Sequence, residues 1–263
     1  MRSFVFPEER GNFSQMNTCK VMGIVNVTPD SFSDGGKYNT PEEAIRRAKN
    51  LVEEGAAIID IGGESTRPGA TPLAWDEEWA RIEPVLAGLS TQHSALGFQL
   101  SVDTYHPETA ERAVAAGVKI VNCVYSEPVP AMAAICARTG AELVLPFRPG
   151  DDPASLPLDL SRIYLDPMIG FGTTREEDVA LLRSVADLAK VGRVLVGASR
   201  KRIVKRLTGE KVPGKDLAGN LAIAMWAAIG GASVVRVHDV RETVQALKVL
   251  DALRSESAAS DLV

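Results

Sequence analysis

Residues 22–36 read MGIVNVTPDSFSDGG. Met22, Ile24, Val25 and Val27 are apolar, as in a buried strand. At Asn26 the stretch turns polar, and beyond Thr28 it breaks into Pro, Asp, Ser and Gly. A strand that ends polar and runs into such a loop is how an α/β protein presents chemistry, with the scaffold behind and the reactive groups at the strand end. The other strands are then expected to be walls around whatever this loop closes over.

Working outward, seven more apolar segments follow, over 56–63, 97–104, 118–124, 141–147, 163–168, 193–199 and 232–238. Helical segments lie between them. Thr40-Pro41-Glu42-Glu43 reads as a capping box with proline at the first helical position, and Gly55 closes that helix. Helices are expected near 75–89, from His106-Pro107 to Gly117, and over 131–138. Thr174 and Glu177 form a second capping box, whose helix should reach about Lys190. A helical region over 201–229, broken near 209–214, and a last helix over 240–253 complete the series. The rhythm fails once. Only 148–162 separates the fifth strand from the sixth, and its three prolines and adjacent Asp151 and Asp152 leave room for a short helical piece at most.

Apolar strands without alternation, interleaved with helices, mean a parallel sheet covered on its outer face. Eight is the count at which such a sheet closes. A doubly wound open sheet would need a G-x-G-x-x-G turn after its first strand, and Met22-Gly23-Ile24-Val25-Asn26 is not one. The expected fold is a TIM (β/α)8 barrel in one domain over 1–263. Its helix after strand five is reduced or missing, and its tail is frayed from about 254.

Composition narrows the function. Of 263 residues, 45% are hydrophobic and 24% charged, ordinary for a globular protein with a sizeable core. The net charge is −5 and no basic block occurs, so nucleic acid is not an expected partner. Cys19, Cys123 and Cys136 are odd in number and lack motif spacing, which argues for a reducing, cytoplasmic setting and against disulfides or zinc. The first residues lack the apolar core of a signal peptide. The uncharged run 217–235 is long enough to span a membrane, but Gly219, Asn220, Gly230 and Gly231 interrupt it. It reads as a buried helix leading into a strand, so no membrane association is expected.

Asn26, Asp60, Asp103, Asn122, Asp166, Ser199, Arg236 and His238 each fall at or near the C-terminal end of an expected strand. Singly, such residues cap helices or start turns. Seven strands ending this way around one ring is harder to explain by capping. The residues form two chemical sets. Asp103, Asn122 and Asp166 are acceptors suited to the N–H edge of a flat heterocycle. Arg67, Arg236, His238 and Lys201 are donors suited to phosphate or carboxylate. Arg236 and His238, two apart, share one strand face. Asn26 offers at most one oxygen to a hard cation such as Mg²⁺. His93 and His106 read as ordinary surface histidines.

The motifs together resemble the dihydropteroate synthase family. The resemblance rests on 22–36, IIDIGGESTRPGA at 58–70, SVDT at 101–104, LDP and GFG at 165–167 and 170–172, SRK at 199–201 and RVHDV at 236–240. It implies a TIM-type barrel that joins 6-hydroxymethyl-7,8-dihydropterin diphosphate to 4-aminobenzoate, with Mg²⁺ as cofactor. Asp103, Asn122, Asp166 and Lys201 would hold the pterin. Arg67, Arg236 and His238 would contact the diphosphate, with Asn26 on the Mg²⁺. Thr66, Arg67, Pro68, Phe171 and Ser199 would lie near the aminobenzoate, with Phe32 on a closing loop over 28–36. Thr66 would also lie by the pterin diphosphate. Asp103, Lys201, Arg236 and His238 would serve as catalytic residues. The resemblance also implies a homodimer through the last helices and a sulfonamide target.

Two features depart from the family pattern. Cys123 stands where an aspartate usually follows the asparagine of strand four, and Pro146-Phe147-Arg148 replaces a Met-His-Met-like end to strand five. Arg148 reads as a solvated loop residue. These departures motivate an alternative, a pterin-binding homologue with a binding or regulatory role. A third possibility, a methyl-transferring barrel enzyme that uses a reduced folate, would have no need of Arg67, Arg236 and His238.

Overall fold

The computed structural model describes residues 18–28, 40–64, 71–90, 97–148, 150–212 and 214–254. Eight strands lie side by side: β1 (Lys20–Asn26), β2 (Ile58–Gly62), β3 (Gln99–Asp103), β4 (Ile120–Asn122), β5 (Glu142–Pro146), β6 (Ile163–Asp166), β7 (Arg193–Val196) and β8 (Val234–Val237). Every neighbouring pair is parallel, and β8 returns to β1, so the sheet is a closed barrel as expected.

The register explains where the polar residues point. Met22, Ile58, Ile120, Val144, Tyr164, Leu195 and Val234 form one apolar layer separate from the main core. Side chains alternate along a strand, so a step of two from this layer stays on the inner face. That step reaches Ile24, Asp60, Asn122, Asp166 and Arg236. One register row runs Asn26, Gly62, Asp103, Asn122. The residues of opposite parity, among them Ile59, Ile61, Leu100, Val102, Val121, Leu165 and Val235, belong to the larger core cluster between barrel and helices.

The helices begin and end where the local chemistry requires. In α1 (Pro41–Glu53), Thr40 Oγ1 accepts the Glu43 N–H at 3.3 Å. α2 (Trp75–Ser90) and α3 (Pro107–Ala115) follow. α4 (Val129–Thr139) ends at Gly140, whose φ of 82° is left-handed. Thr174 and Glu177 complete the second capping box at the head of α5 (Arg175–Arg183). The single helix expected to reach Lys190 is two, because the chain breaks at Ser184 and resumes as α6 (Val185–Val191). The long region after β7 divides as expected, into α7 (Arg202–Thr208), stopped by left-handed Gly209, and α8 (Leu217–Ile229). α9 (Val240–Arg254) closes the order. No helix among the described residues is long and apolar enough to cross a membrane. α8 is buried on one face only, since Trp226 and Ile229 are exposed.

Among the described residues, the segment after β5 has no α-helix. It holds two 3₁₀ turns, Pro153–Ser155 and Leu160–Arg162, each headed by an aspartate that accepts a backbone N–H two residues on. Leu158 is buried in the main core and Leu156 packs against it, doing part of what a helix would do. Arg162 donates to the carbonyls of Cys136 and Ala141, tying the segment to the end of α4. Arg148 is exposed, as its sequence context implies. Cys123 lies in the outer core, its thiol donating to the Tyr125 carbonyl at 3.2 Å. All three cysteines are free.

Candidate active site

The C-terminal ends of the strands converge on Arg236. Its Nε donates to Asp60 Oδ2 at 2.6 Å and its Nη2 to Asp103 Oδ2 at 2.5 Å. Asn122 Nδ2 donates to the same Asp60 oxygen at 3.1 Å, which fixes which end of the amide is nitrogen. Four strands, β2, β3, β4 and β8, thus meet in one network. The sequence pattern has the acceptor and cationic sets facing different ends of a ligand. They are instead interlocked, because a buried guanidinium needs carboxylates beside it and the parity of β8 aims Arg236 across the barrel.

Asp166 and Lys201 form the adjoining wall. Asp166 Oδ1 accepts the Met168 N–H at 2.7 Å. Met168 has a φ of 62°, a left-handed conformation unusual for a side chain of this size. Lys201 Nζ donates to the Ile169 carbonyl at 2.7 Å and lies 4.2 Å from the centre of the Phe171 ring. Phe171 is therefore at the mouth, beneath the lysine. The loop it belongs to is pinned by Asp178, whose Oδ1 accepts from Gly170 N–H and Thr173 Oγ1.

Ser199 and His238 make a separate pair. Ser199 Oγ accepts the His238 N–H and lies 3.2 Å from the ring Nδ1. Arg47 from α1 holds the His238 carbonyl at 3.1 Å. Asn26 sits at the end of β1, and a methyl group built on Gly62 would fall 3.8 Å from its Oδ1 and 3.4 Å from Asp103 Cβ. The missing side chain at Gly62 therefore keeps a space open between Asn26 and Asp103. Phe32, Thr66, Arg67 and Pro68 lie outside the described residues, as does the expected closing loop beyond Thr28.

Burial sets the electrostatics. It pushes the Asp103 carboxyl up, with Asp60 adding to the rise and Arg236 opposing it. Asp166 is raised for the same reason, against the pull of Lys201. Lys201 is lowered to about 8 by burial, with Asp166 resisting. Burial also works against the Arg236 charge, but Asp60 and Asp103 outweigh it and hold the guanidinium proton more firmly than usual. The site is a set of charges kept dry and balanced against one another.

Sequence pattern alone misses some of these residues. Asp60 is the centre of the network, yet in the sequence it is one strand end among several. Its inward parity with Asp103 is the available signal. Glu64 accepts from Tyr105 Oη at 2.6 Å and from the Leu73 N–H at 3.2 Å, and His106 Nε2 lies 3.4 Å from its other oxygen. His106 is therefore half-buried beside a carboxylate, not an ordinary surface histidine. A carboxylate aimed at it from 42 positions earlier leaves no mark in the local sequence. His93 is outside the described residues.

Comparison with known proteins places this geometry. The family model described as pterin binding enzyme matches residues 22–154 and 151–238. The dihydropteroate synthase of Synechocystis is 38% identical over 261 residues, covering 89% of this chain and 89% of that protein. That of Bacillus subtilis is 38% identical over 254 residues, covering 89% and 88%. Among solved structures, the Xanthomonas albilineans dihydropteroate synthase with 4-aminobenzoic acid matches with a TM-score of 0.82 at 40% identity, over 91% of this chain and 94% of that one. A structure of the Xanthomonas albilineans enzyme in complex with 7,8-dihydropteroate matches with a TM-score of 0.79 at 36% identity, over 92% and 95%. With the barrel, its polar mouth and these relatives in agreement, the chain belongs to the pterin-binding enzymes, and within them to the dihydropteroate synthase family.

Proposed function

We propose that this protein joins 6-hydroxymethyl-7,8-dihydropterin diphosphate to 4-aminobenzoate, giving 7,8-dihydropteroate and diphosphate in folate synthesis. The observation that carries the reading is a set of unsatisfied inward atoms. Asp60 Oδ1 and Asn122 Oδ1 are buried without a hydrogen-bond partner among the described residues, in the same network as Asp103 and Arg236. Buried polar atoms normally find partners, so acceptors left open at a barrel mouth suit a ligand rich in N–H groups. A pterin edge is such a ligand.

In this reading Asp103, Asn122 and Asp166 accept from the pterin ring, and Lys201 donates to it. Arg236 and His238, with Arg67, face the diphosphate. Thr66, Arg67, Pro68, Phe171, Ser199 and Phe32 surround the aminobenzoate, and Thr66 reaches the diphosphate end as well. The bond from the pterin methylene to oxygen breaks first and diphosphate leaves with the electron pair. The electron-rich ring and the carboxylates beside it stabilise the cation left on the methylene carbon. The arylamine nitrogen then bonds to that carbon and loses a proton, a step that needs no strong base.

Asn26 fits a Mg²⁺ ligand. Its amide oxygen borders the space kept open by Gly62, and no cluster of three or more His, Cys, Asp or Glu among the described residues competes for a metal. One hard oxygen from the protein suits an ion that keeps most of its waters and shares phosphate oxygens. Bound there, Mg²⁺ would neutralise charge on the departing diphosphate. Trp226, Ile229, Val249 and Leu253 expose apolar side chains on α8 and α9, which supports a homodimer through these helices. Three free cysteines suit a cytoplasmic setting.

The test is direct. The protein is incubated with the pterin diphosphate, 4-aminobenzoate and Mg²⁺, and dihydropteroate and free diphosphate are measured. Equal amounts of both are expected. Pterin binding without turnover would favour a binding or regulatory homologue instead.

A further inference from the structure

Residues 198–201 form a tight turn in which the Lys201 N–H donates to the Ala198 carbonyl at 3.2 Å. Its third residue, Arg200, has a φ of 58°. Turns of this kind usually place glycine or asparagine there, because other side chains crowd the backbone at positive φ. Something must hold Arg200 in place. Two contacts do so. Asn220 Oδ1 accepts the Arg200 N–H at 2.9 Å, and Asp239 Oδ1 accepts from Arg200 Nη2 at 2.7 Å.

Asn220 is unusual where it stands. It is buried on the inner face of α8, beside Ala224, Ala227 and Ala228. Its Nδ2 is buried with no partner among the described residues, so the carboxamide is present for its oxygen. That oxygen grips the backbone of a turn whose two flanking side chains both reach the candidate site. Ser199 meets His238, and Lys201 reaches Ile169 and Phe171.

We infer that Asn220 is a positioning residue, which locks Arg200 in the left-handed conformation and so aims Lys201 into the barrel mouth. The part that concerns substrate rests on the reading of Lys201 as a pterin ligand. The part that concerns Lys201 itself does not. The charged groups acting on the lysine are Asp166, Arg236, Asp103 and Asp178, and the depressed Lys201 value of about 8 reflects its burial among them. A lysine released from the turn would return toward the ordinary range.

The test uses full-length wild type, Asn220→Ala, and the double variant Asn220→Ala with Arg200→Gly. Glycine adopts positive φ without a clamp, so the double variant should restore the turn. Lys201 is probed by brief acetylation with acetic anhydride across pH, read by peptide mass spectrometry. In Asn220→Ala the lysine should label several-fold faster, with its midpoint moved above 8. The KM for pterin diphosphate should rise about ten-fold, because a ligand group held by the turn is misplaced. The double variant should return to wild-type labelling and KM. Wild-type labelling in Asn220→Ala would overturn the inference, and so would failure of Arg200→Gly to restore it. If labelling behaves as expected while wild type makes no dihydropteroate, the proposed function fails and the positioning role stands.

Discussion

Each end of the barrel holds an arginine against carboxylate. At the base, Arg193 Nη1 donates to Glu142 Oε1 at 2.8 Å and to Tyr164 Oη at 3.1 Å, and its guanidinium lies 3.9 Å from the centre of the Tyr164 ring. At the mouth, Arg236 bonds Asp60 and Asp103. The difference is in what is left over. The base matches one cation to one carboxylate, and its leftover groups are donors, Arg193 Nε and Nη2, which have no hydrogen-bond partner among the described residues but lie under the Tyr164 ring. The mouth gathers Asp60, Asp103 and Asp166 around Arg236 and Lys201, and leaves buried acceptor oxygens on Asp60 and Asn122 open. The base is a plug whose spare donors are capped by an aromatic face, whereas the mouth keeps spare acceptors for something else. Residue type does not separate the two ends; the balance of partners and the strand end do.

This contrast can be broken by mutation. The largest effect is expected for Asp166→Ala, which should abolish pterin binding and with it turnover. In the proposed reading Asp166 accepts from the pterin, and its Oδ1 also holds Met168 in its strained conformation. Normal pterin affinity in this variant would remove Asp166 from the site. Arg236→Ala should follow. It strips a buried carboxylate pair of its partner, a loss on the order of 3–5 kcal/mol in such settings, and should weaken the diphosphate end by about 100-fold or more. Unchanged diphosphate affinity would show that Arg236 only braces the fold.

Arg193→Ala should behave in the opposite way. Denaturant titration should show roughly 3 kcal/mol of lost stability from the unpaired Glu142, with both KM values within about two-fold of wild type. A selective loss of turnover would erase the distinction between the ends. The smallest effect is a slope. The Lys201 value in the folded chain is lowered to about 8, below its ordinary 10.5. Between these two values the unfolded chain binds more protons than the folded one, so this group adds stability as pH rises. Wild type minus Lys201→Gln should show that rise between pH 8 and 10.5. A flat difference would mean that the lysine is not buried as described.

Much of the barrel and its mouth is legible in the sequence. Apolar runs ending in Asn26, Asp103, Asn122, Asp166 and Arg236 mark strand ends, and the period of two puts their side chains on one face. The capping box at Thr174 and the glycine at 209 mark helix boundaries by their own chemistry. What is not legible depends on closure. Arg236 meets Asp103 across 133 positions and Asp60 across 176, and only a closed barrel brings them together. The pairing of Glu64 with His106 and the grip of Asn220 on Arg200 depend in the same way on loops from different strands. The break at Ser184 has no proline or glycine to announce it. The exposed face of α8 is hidden because a helix apolar all round reads as fully buried.

The most direct measurement is an equilibrium titration of 6-hydroxymethyl-7,8-dihydropterin diphosphate, with Mg²⁺, against wild type, Arg193→Ala and Asp166→Ala. The pterin should bind wild type and Arg193→Ala with the same affinity and fail to bind Asp166→Ala. Equal affinity for all three, or equal loss in both variants, would contradict the assignment of the mouth as the site of chemistry and the base as its plug.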